Sequence, residues 1–357
     1  MKMIFRWFGS SLDPIPLRHI RQIPKIRGIA GSLMDIPVGE TWPTEEIASL
    51  KQEVNDAGLE FEVIESVNVH EDIKLGIPSR DRYIENYIET IKNLGKLGIK
   101  VICYNFMPIF DWTRSDLAKE LSDGSNVLSY DARIIDRMKD VKDLAKKIED
   151  NPGSFKMPGW EPERIKELRT QFSRYEGFTE DDLFNNLKYF LESIIPTCEA
   201  YDVKMAIHPD DPPWSIFGIP RIANSKENLD RILSLVDSKH NGLTLCSGSL
   251  GADQDNKIPD LIRHFGKDGK IHFAHIRNIR VHEQGIFDES SHLSEDGSLD
   301  IYEIMKAYDE IGFEGYVRPD HGRMIWDEQG RAGYGLYDRA LGVAYMNGLW
   351  EAIKKSK

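Results

Sequence analysis

Four predicted strands in the second half of the chain each end on a residue that can bind a metal ion. The terminal residues are His208, Cys246, His275 and Asp320, and each follows a short apolar run. If these strands close into a parallel barrel, their C-terminal ends lie around one common opening. Two imidazoles, a thiolate and a carboxylate that meet there would form a mononuclear metal site. The pattern therefore predicts a metalloenzyme.

Each residue also has an ordinary structural interpretation. His208 begins the run His-Pro-Asp-Asp-Pro-Pro-Trp, which could be a rigid turn with a hydrogen-bonded histidine. Cys246 could be a small core residue, although the small residues that follow it leave space for an ion or a substrate. Asp320 could be a surface carboxylate. Four such ends on consecutive strands favour a joint site, whereas Cys103 and Cys198 have no such setting and are predicted to be core residues.

Further residues near the strand ends could bind a substrate or move a proton. Alternation along the strand places Arg277 on the same face as His275, where it could bind a substrate carboxylate or pair with an acidic loop residue. His321 directly follows Asp320, so an acid–base group would lie beside a metal ligand. Tyr334 lies between two glycines after the last strand, either as a proton donor or within a flexible surface loop. Two other strand-end residues could contact substrate, Asn105 and Trp7.

The elements that would position these residues alternate between apolar strands and amphipathic helices. Earlier strands are predicted over residues 3–9, 27–33, 59–66 and 100–107. Helices are predicted over residues 44–57, 79–97, 225–236, 298–311 and 337–354. About eight strand–helix units indicate an α/β protein with a (β/α)8 TIM barrel. A doubly wound open sheet is the alternative, but no Gly-rich phosphate loop follows the first strand.

One long segment, residues 108–200, interrupts this alternation between the fourth and fifth strands. Without it, the chain would have roughly the 250 residues typical of this barrel. Helices are predicted over residues 133–150, 161–174 and 179–201, and the last would be the outer helix of the fourth unit. The whole chain, 1–357, is then one barrel domain, and residues 108–178 are a helical insertion on the mouth side, a possible lid or dimer contact.

Composition limits the class of protein. Hydrophobic residues make up 40% of the chain and charged residues 29%, as in soluble globular proteins, and no apolar run could span a membrane. The N-terminus has the pattern of a strand rather than of a secretory signal. Three widely spaced cysteines indicate a reducing cytoplasm. A net charge of −13 argues against nucleic acid or a membrane as partner, and an anionic substrate would need local positive charge.

These motifs together resemble the mannonate dehydratase family, barrel lyases of hexuronate breakdown. The residues that carry the resemblance are His-Pro-Asp-Asp-Pro-Pro at 208–213, Cys-Ser-Gly-Ser-Leu-Gly at 246–251, His-Ile-Arg-Asn at 275–278 and Arg-Pro-Asp-His-Gly at 318–322. The likeness extends from Phe-Arg-Trp-Phe-Gly at 5–9 to Gly-Tyr-Gly at 333–335, almost the whole chain.

The resemblance implies Mn²⁺ or Fe²⁺ held by the four strand-end ligands. It implies acid–base roles for His321 and for a late-loop tyrosine, matched to Tyr334 with Tyr337 as the alternative. The implied reaction is dehydration of D-mannonate, a small sugar acid, to 2-dehydro-3-deoxy-D-gluconate in glucuronate catabolism. Family analogy also implies a homo-oligomer, a dimer or larger.

Two other functions are compatible with a barrel. A metal-dependent sugar isomerase or epimerase is the nearest alternative enzyme, but such sites use mainly Glu and Asp ligands, so the cysteine disfavours it. A non-catalytic carbohydrate-binding barrel is a different class, and it would not need a stoichiometric metal.

Overall fold

The computed structural model describes residues 1–136 and 171–357, and its centre is a closed barrel of eight parallel strands. In chain order these are β1 (Lys2–Arg6), β2 (Gly28–Gly31), β3 (Glu60–Glu65), β4 (Val101–Tyr104), β7 (Lys204–Ile207), β8 (Asn241–Cys246), β9 (Ile271–Ile276) and β12 (Tyr316–Pro319). β1 pairs with both β2 and β12, which closes the barrel. The predicted TIM barrel is therefore confirmed.

Helices cover the outside of the barrel near the positions predicted from periodicity. The main ones are Thr44–Asp56, Arg80–Lys96, Glu180–Tyr201, Lys226–Leu235, Ile258–Gly266, Ile301–Glu310 and Tyr337–Lys355. A capping box of Thr179 and Asp182 begins the third of these. The sixth begins later than predicted, because Asp300 rather than Ser298 caps it. Within the described residues, no helix has both the length and the apolar character needed to cross a lipid bilayer.

Alternation along the barrel strands builds layers of inward-facing side chains. The lower layers are apolar and include Ile4, Ala30, Val63, Cys103 and Phe273. Two residues further along each strand the inward position is polar or charged. We call these eight positions the rim ring: Arg6, Ser32, Glu65, Asn105, His208, Cys246, His275 and Arg318. The rim ring forms the floor of the barrel mouth.

The first part of the insertion is a sheet rather than a helix. β5 (Asp116–Glu120) and β6 (Asn126–Asp131) pair antiparallel and join β10 (Ile279–Glu283) and β11 (Ile286–Glu289) in a second sheet. The prediction of a helical insertion over 108–178 is therefore wrong for β5 and β6, which are strands. Burial of the apolar side chains of Val127 and Tyr130 stabilises β6 in this sheet.

Helical residues border the described part of the insertion on both sides. Ala132–Asp136 and residues 171–174 are helical, and the remainder of the two predicted helices lies outside the described residues. The predicted role of the insertion as a lid or dimer contact stays a prediction.

Candidate metal centre

The side chains of His208, Cys246, His275 and Asp320 meet at the C-terminal end of the barrel. One possible ligand atom from each lies within 4.8 Å of the others. His208 Nε2 is 3.2 Å from His275 Nδ1, and Cys246 Sγ is 3.3 Å from Asp320 Oδ2. Donor atoms bonded to one transition-metal ion at about 2.0–2.3 Å lie at most roughly 4.6 Å apart. The four side chains therefore need only a small contraction to share one ion.

Neighbouring groups orient the two imidazoles toward each other. His208 Nδ1 lies 2.7 Å from the carbonyl oxygen of Pro209. A carbonyl can only accept, so Nδ1 carries the proton and Nε2 keeps a free lone pair. On the other ring, His275 Nε2 lies 3.1 Å from Arg318 Nε, which donates to it, and 3.4 Å from Glu65 Oε2, so Nδ1 is the nitrogen that faces His208. A carboxylate or carbonyl behind the ring is the usual support for a metal-binding histidine.

Cys246 lies at the end of β8, where the chain turns into the short helix Ser247–Gly251. The Ser249 hydroxyl donates to its sulfur over 3.1 Å, and the Ser249 backbone N–H lies 3.5 Å away. Such donors stabilise negative charge on sulfur, which a metal-binding thiolate needs. Gly248 is required here, because a Cβ atom at that position would lie 2.4 Å from Arg277 Nε.

Two arginines hold the carboxylate of Asp320 from either side. Arg318 Nη2 lies 2.8 Å from Oδ1, and Arg277 Nε lies 2.9 Å from Oδ2. Burial raises the pKa of Asp320, but electrostatic interactions with His321, Arg318 and Arg277 outweigh it and hold the pKa well below its usual range. Asp320 is therefore an ionised ligand candidate.

Arg277 lies among acidic side chains, which is the second of the two alternatives left open by the sequence. Its fully buried guanidinium pairs with Asp211 over 2.6 Å and contacts Glu289. Arg114, also fully buried, pairs with the same two carboxylates. Buried charges in this arrangement neutralise one another and fix the positions of their neighbours.

His321 and Tyr334 form a hydrogen-bonded pair beside the four ligand candidates. His321 Nε2 lies 2.9 Å from the Tyr334 hydroxyl, and His321 Nδ1 lies 3.1 Å from Glu289 Oε1. The ring of Trp112 packs against the imidazole at 5.4 Å. Tyr337 is 42% exposed at the surface, so the geometry favours Tyr334 over Tyr337 as the partner of His321.

The two remaining predicted residues have different settings. Asn105 belongs to the rim ring and is half-buried, so it remains a candidate for substrate contact. Trp7 is only 1% exposed, and its indole N–H donates to the carbonyl of Ile15 over 3.0 Å. It follows the rim position of its strand and therefore points outward into the core, which disfavours a substrate contact.

Several charged residues of the site were absent from the sequence-based candidates. Glu65 and Arg318 form a two-point ion pair, with Nε–Oε2 at 2.8 Å and Nη2–Oε1 at 2.6 Å. The alternation rule applied to every strand would have found both. Arg114, Asp211 and Glu289 lie outside the barrel strands, and Arg114 and Glu289 come from segments with no strand-end signal.

Known proteins resemble this chain over its full length. The model of the D-mannonate dehydratase (UxuA) family matches residues 1–357. A mannonate dehydratase from Geobacillus thermodenitrificans is 59% identical over 357 residues, covering 100% of this chain and 96% of the relative. One from Thermotoga maritima is 58% identical, covering 100% of this chain and 99% of the relative.

Solved structures agree with the sequence comparisons. The crystal structure of mannonate dehydratase from Streptococcus suis serotype 2 has a TM-score of 0.90 and 45% identity, covering 100% of this chain and 95% of that one. A D-tagatose 3-epimerase-like protein, at 12% identity and a TM-score of 0.55, shares the fold alone. The chain therefore belongs to the D-mannonate dehydratase family.

Proposed function

We propose that this protein dehydrates D-mannonate to 2-dehydro-3-deoxy-D-gluconate and water, in the breakdown of hexuronates such as glucuronate. The observation that carries the proposal is the convergence of four metal-binding side chains beside the His321–Tyr334 pair in one barrel mouth. Membership of the family supports the choice of substrate.

The four ligand candidates, His208, Cys246, His275 and Asp320, would hold a divalent cation. Their mixed nitrogen, sulfur and oxygen donors suit Mn²⁺ or Fe²⁺. The chemistry that such a cation supplies when bound is Lewis-acid stabilisation of the negative charge that develops next to the substrate carboxylate.

His321 and Tyr334 would divide the two proton transfers. With a proton on Nδ1 directed at the Glu289 carboxylate, His321 would have on Nε2 the lone pair that takes the C2 proton of the substrate. Burial, followed by the charge of Asp320, raises the pKa of Tyr334 to about 12, so its hydroxyl keeps its proton at neutral pH. It can donate that proton to the C3 hydroxyl, which leaves as water when the C3–O bond breaks. The resulting enol then tautomerises to the 2-keto acid.

A dehydration assay with Mn²⁺ or Fe²⁺ and D-mannonate tests this function. The expected product is a 2-keto-3-deoxy acid, identified by mass loss of one water and by NMR. An isomerised hexonate without loss of water would instead support the isomerase or epimerase alternative. Turnover of a different aldonic acid would keep the mechanism and change the substrate.

The proposal includes a cytoplasmic homodimer. The three cysteines are free and buried, consistent with a reducing compartment. Cys103 and Cys198 lie in the core, as predicted. Sedimentation equilibrium of the metal-loaded protein measures the oligomeric state, and a monomer at micromolar concentration would remove the dimer from the proposal.

A further inference from the structure

The rim ring has two chemically different halves. The half formed by β7, β8, β9 and β12 carries three of the four ligand candidates and Arg318. The half formed by β1 to β4 carries Arg6, Ser32, Glu65 and Asn105. These side chains cannot make a metal site together, but they are suited to bind a polar, charged organic molecule. The most unusual of them is Arg6.

Arg6 is a buried cation without an acidic partner. Three other buried arginines of the mouth are paired with carboxylates: Arg114 with Asp211 and Glu289, Arg277 with the same two, and Arg318 with Glu65 and Asp320. Arg339 and Arg221 are also buried without an ion pair in the part of the chain that the structure describes, but both terminal nitrogens of each donate to other groups, mainly backbone carbonyls. Within residues 1–136 and 171–357, Arg6 forms no ion pair. Its side chain is only 4% exposed, and burial lowers its pKa.

One edge of the Arg6 guanidinium remains available. Nη1 donates to the backbone carbonyls of Trp7 and Ala30. Nε and Nη2 have no hydrogen-bond partner among the described residues, and these two N–H groups form the fork that binds a carboxylate with two parallel hydrogen bonds. The guanidinium stacks on Phe8 at 4.0 Å, and the ring of Phe8 packs on Tyr334 at 4.9 Å. These contacts hold the guanidinium in place, one ring away from Tyr334.

The charges of the ligand set indicate why such a cation is needed. A thiolate from Cys246 and a carboxylate from Asp320 would together neutralise a divalent ion. Glu65 is engaged by Arg318 through two contacts and does not neutralise Arg6 directly. A sugar acid adds one negative charge, and Arg6 can balance it.

We propose that Arg6 binds the carboxylate of the sugar acid and makes the site selective for acids over neutral analogues. This proposal rests on the proposed function for the identity of the substrate. It also assigns to Arg6 the binding of the substrate carboxylate, which the sequence alone suggested for Arg277.

The test compares D-mannonate with D-mannonamide, in which an uncharged amide replaces the carboxylate. Calorimetry measures the dissociation constant of each ligand for the metal-stripped protein and for the Mn²⁺-loaded protein. The loaded protein also carries Tyr334→Phe in the parent and in every variant, because the active enzyme would consume D-mannonate during the titration. We expect both forms of the parent to prefer the acid, and we expect Arg6→Gln to reduce that preference roughly 10- to 100-fold in both forms. Arg6→Lys, which keeps the charge but loses the fork, should retain part of the preference.

Arg331→Gln is the matched control, because Arg331 stacks at 4.4 Å on Phe8 as Arg6 does but is exposed. The effect of Arg331→Gln on the preference for the acid should stay below about threefold.

Three results would overturn the proposal. The first is a preference for the acid in the loaded parent but not in the stripped parent, which would assign the selectivity to the metal. The second is an equal loss of acid and amide binding in Arg6→Gln, which would indicate a structural role. The third is an effect of Arg331→Gln as large as that of Arg6→Gln. Arg6→Lys decides the question if Arg6→Gln does not fold. A parent that binds acids through Arg6 but does not dehydrate D-mannonate would contradict only the proposed function.

Discussion

The hydroxyl of Tyr334 lies 2.9 Å from Nε2 of His321, so the two proposed proton-transfer groups are in direct contact. After one turnover, His321 would hold the proton taken from C2, and Tyr334 would have lost its own. Transfer of one proton along this hydrogen bond restores both groups without a solvent proton. The contact therefore links the base and the acid of the proposed reaction into one unit.

Tyr334→Phe tests the acid role. Because the phenyl ring keeps its packing against Phe8, we expect the fold and KM to change little, while kcat falls about 10²- to 10⁴-fold through loss of the general acid. Steady-state kinetics with D-mannonate measure this. Tyr337→Phe, which alters an exposed tyrosine three residues away, should keep kcat within about twofold of the parent. Full activity in Tyr334→Phe would assign the proton donation to another group.

Cys246→Ser tests the metal site. A serine hydroxyl is a poor substitute for a thiolate ligand, so we expect metal affinity to fall at least about 10- to 100-fold and activity to require excess metal. Elemental analysis after dialysis measures the metal content per chain. Cys198→Ala is the matched control, because this cysteine is buried in the helix Glu180–Tyr201, outside the four-residue site. It should keep the full metal content even if it lowers stability. Equal metal content in both variants would remove Cys246 from the ligand set.

The four ligand candidates could be predicted from the sequence because parallel strands bring their C-terminal ends together whatever their separation in the chain. The same rule extends to Glu65, two residues beyond the inward-facing Val63, and to Arg318. The N-termini of two helices could also be predicted, because Thr179 and Ser225 are capping residues that precede stretches with helical apolar periodicity.

The second sheet could not be predicted in the same way. Arg114 and Glu289 are 175 residues apart in sequence and lie 2.7 Å apart at their closest atoms. No local pattern encodes that contact, because it depends on the pairing of β6 with β11. The charged residues Asp116, Lys119 and Glu120 of β5 also have the i, i+3, i+4 spacing of an exposed helix face. The positions of Arg114 and Glu289 therefore depend on pairing between strands that are distant in sequence.

Glu289→Gln tests whether Glu289 positions His321. Removing the charge weakens the acceptor for Nδ1–H and leaves Arg114 and Arg277 with one carboxylate fewer. We expect kcat to fall about 10- to 100-fold, and the free energy of unfolding to fall by about 3–5 kcal/mol, as for other broken buried ion pairs. Glu289→Asp should restore part of both.

The control for that variant is its neighbour in the chain. Asp288 pairs with Lys119 and His282 on the second sheet and does not contact His321. Asp288→Asn should therefore leave kcat within about threefold of the parent. If the two variants lose activity equally, the sheet as a whole rather than the Glu289–His321 contact maintains the site.

His272 should make the stability of the barrel depend on pH. Its ring is buried, with Nδ1 2.8 Å from the carbonyl oxygen of Met205, and burial lowers its pKa to about 3 from an ordinary value near 6.5. Below pH 6.5 the unfolded chain binds a proton at His272 that the folded chain does not. This contribution to stability is therefore complete above pH 6.5 and is lost as the pH falls toward 3, by about 1.4 kcal/mol per pH unit.

Urea unfolding of the parent and of His272→Gln between pH 8 and pH 5 measures this contribution. Between pH 6.5 and pH 5 the parent should lose about 2 kcal/mol more than the variant, because glutamine cannot take up a proton. Above pH 7.5 the two stability curves should run parallel, which provides the internal control. Parallel curves below pH 6.5 as well would mean that His272 gains its proton in the folded barrel, for example because water reaches the ring from the N-terminal end.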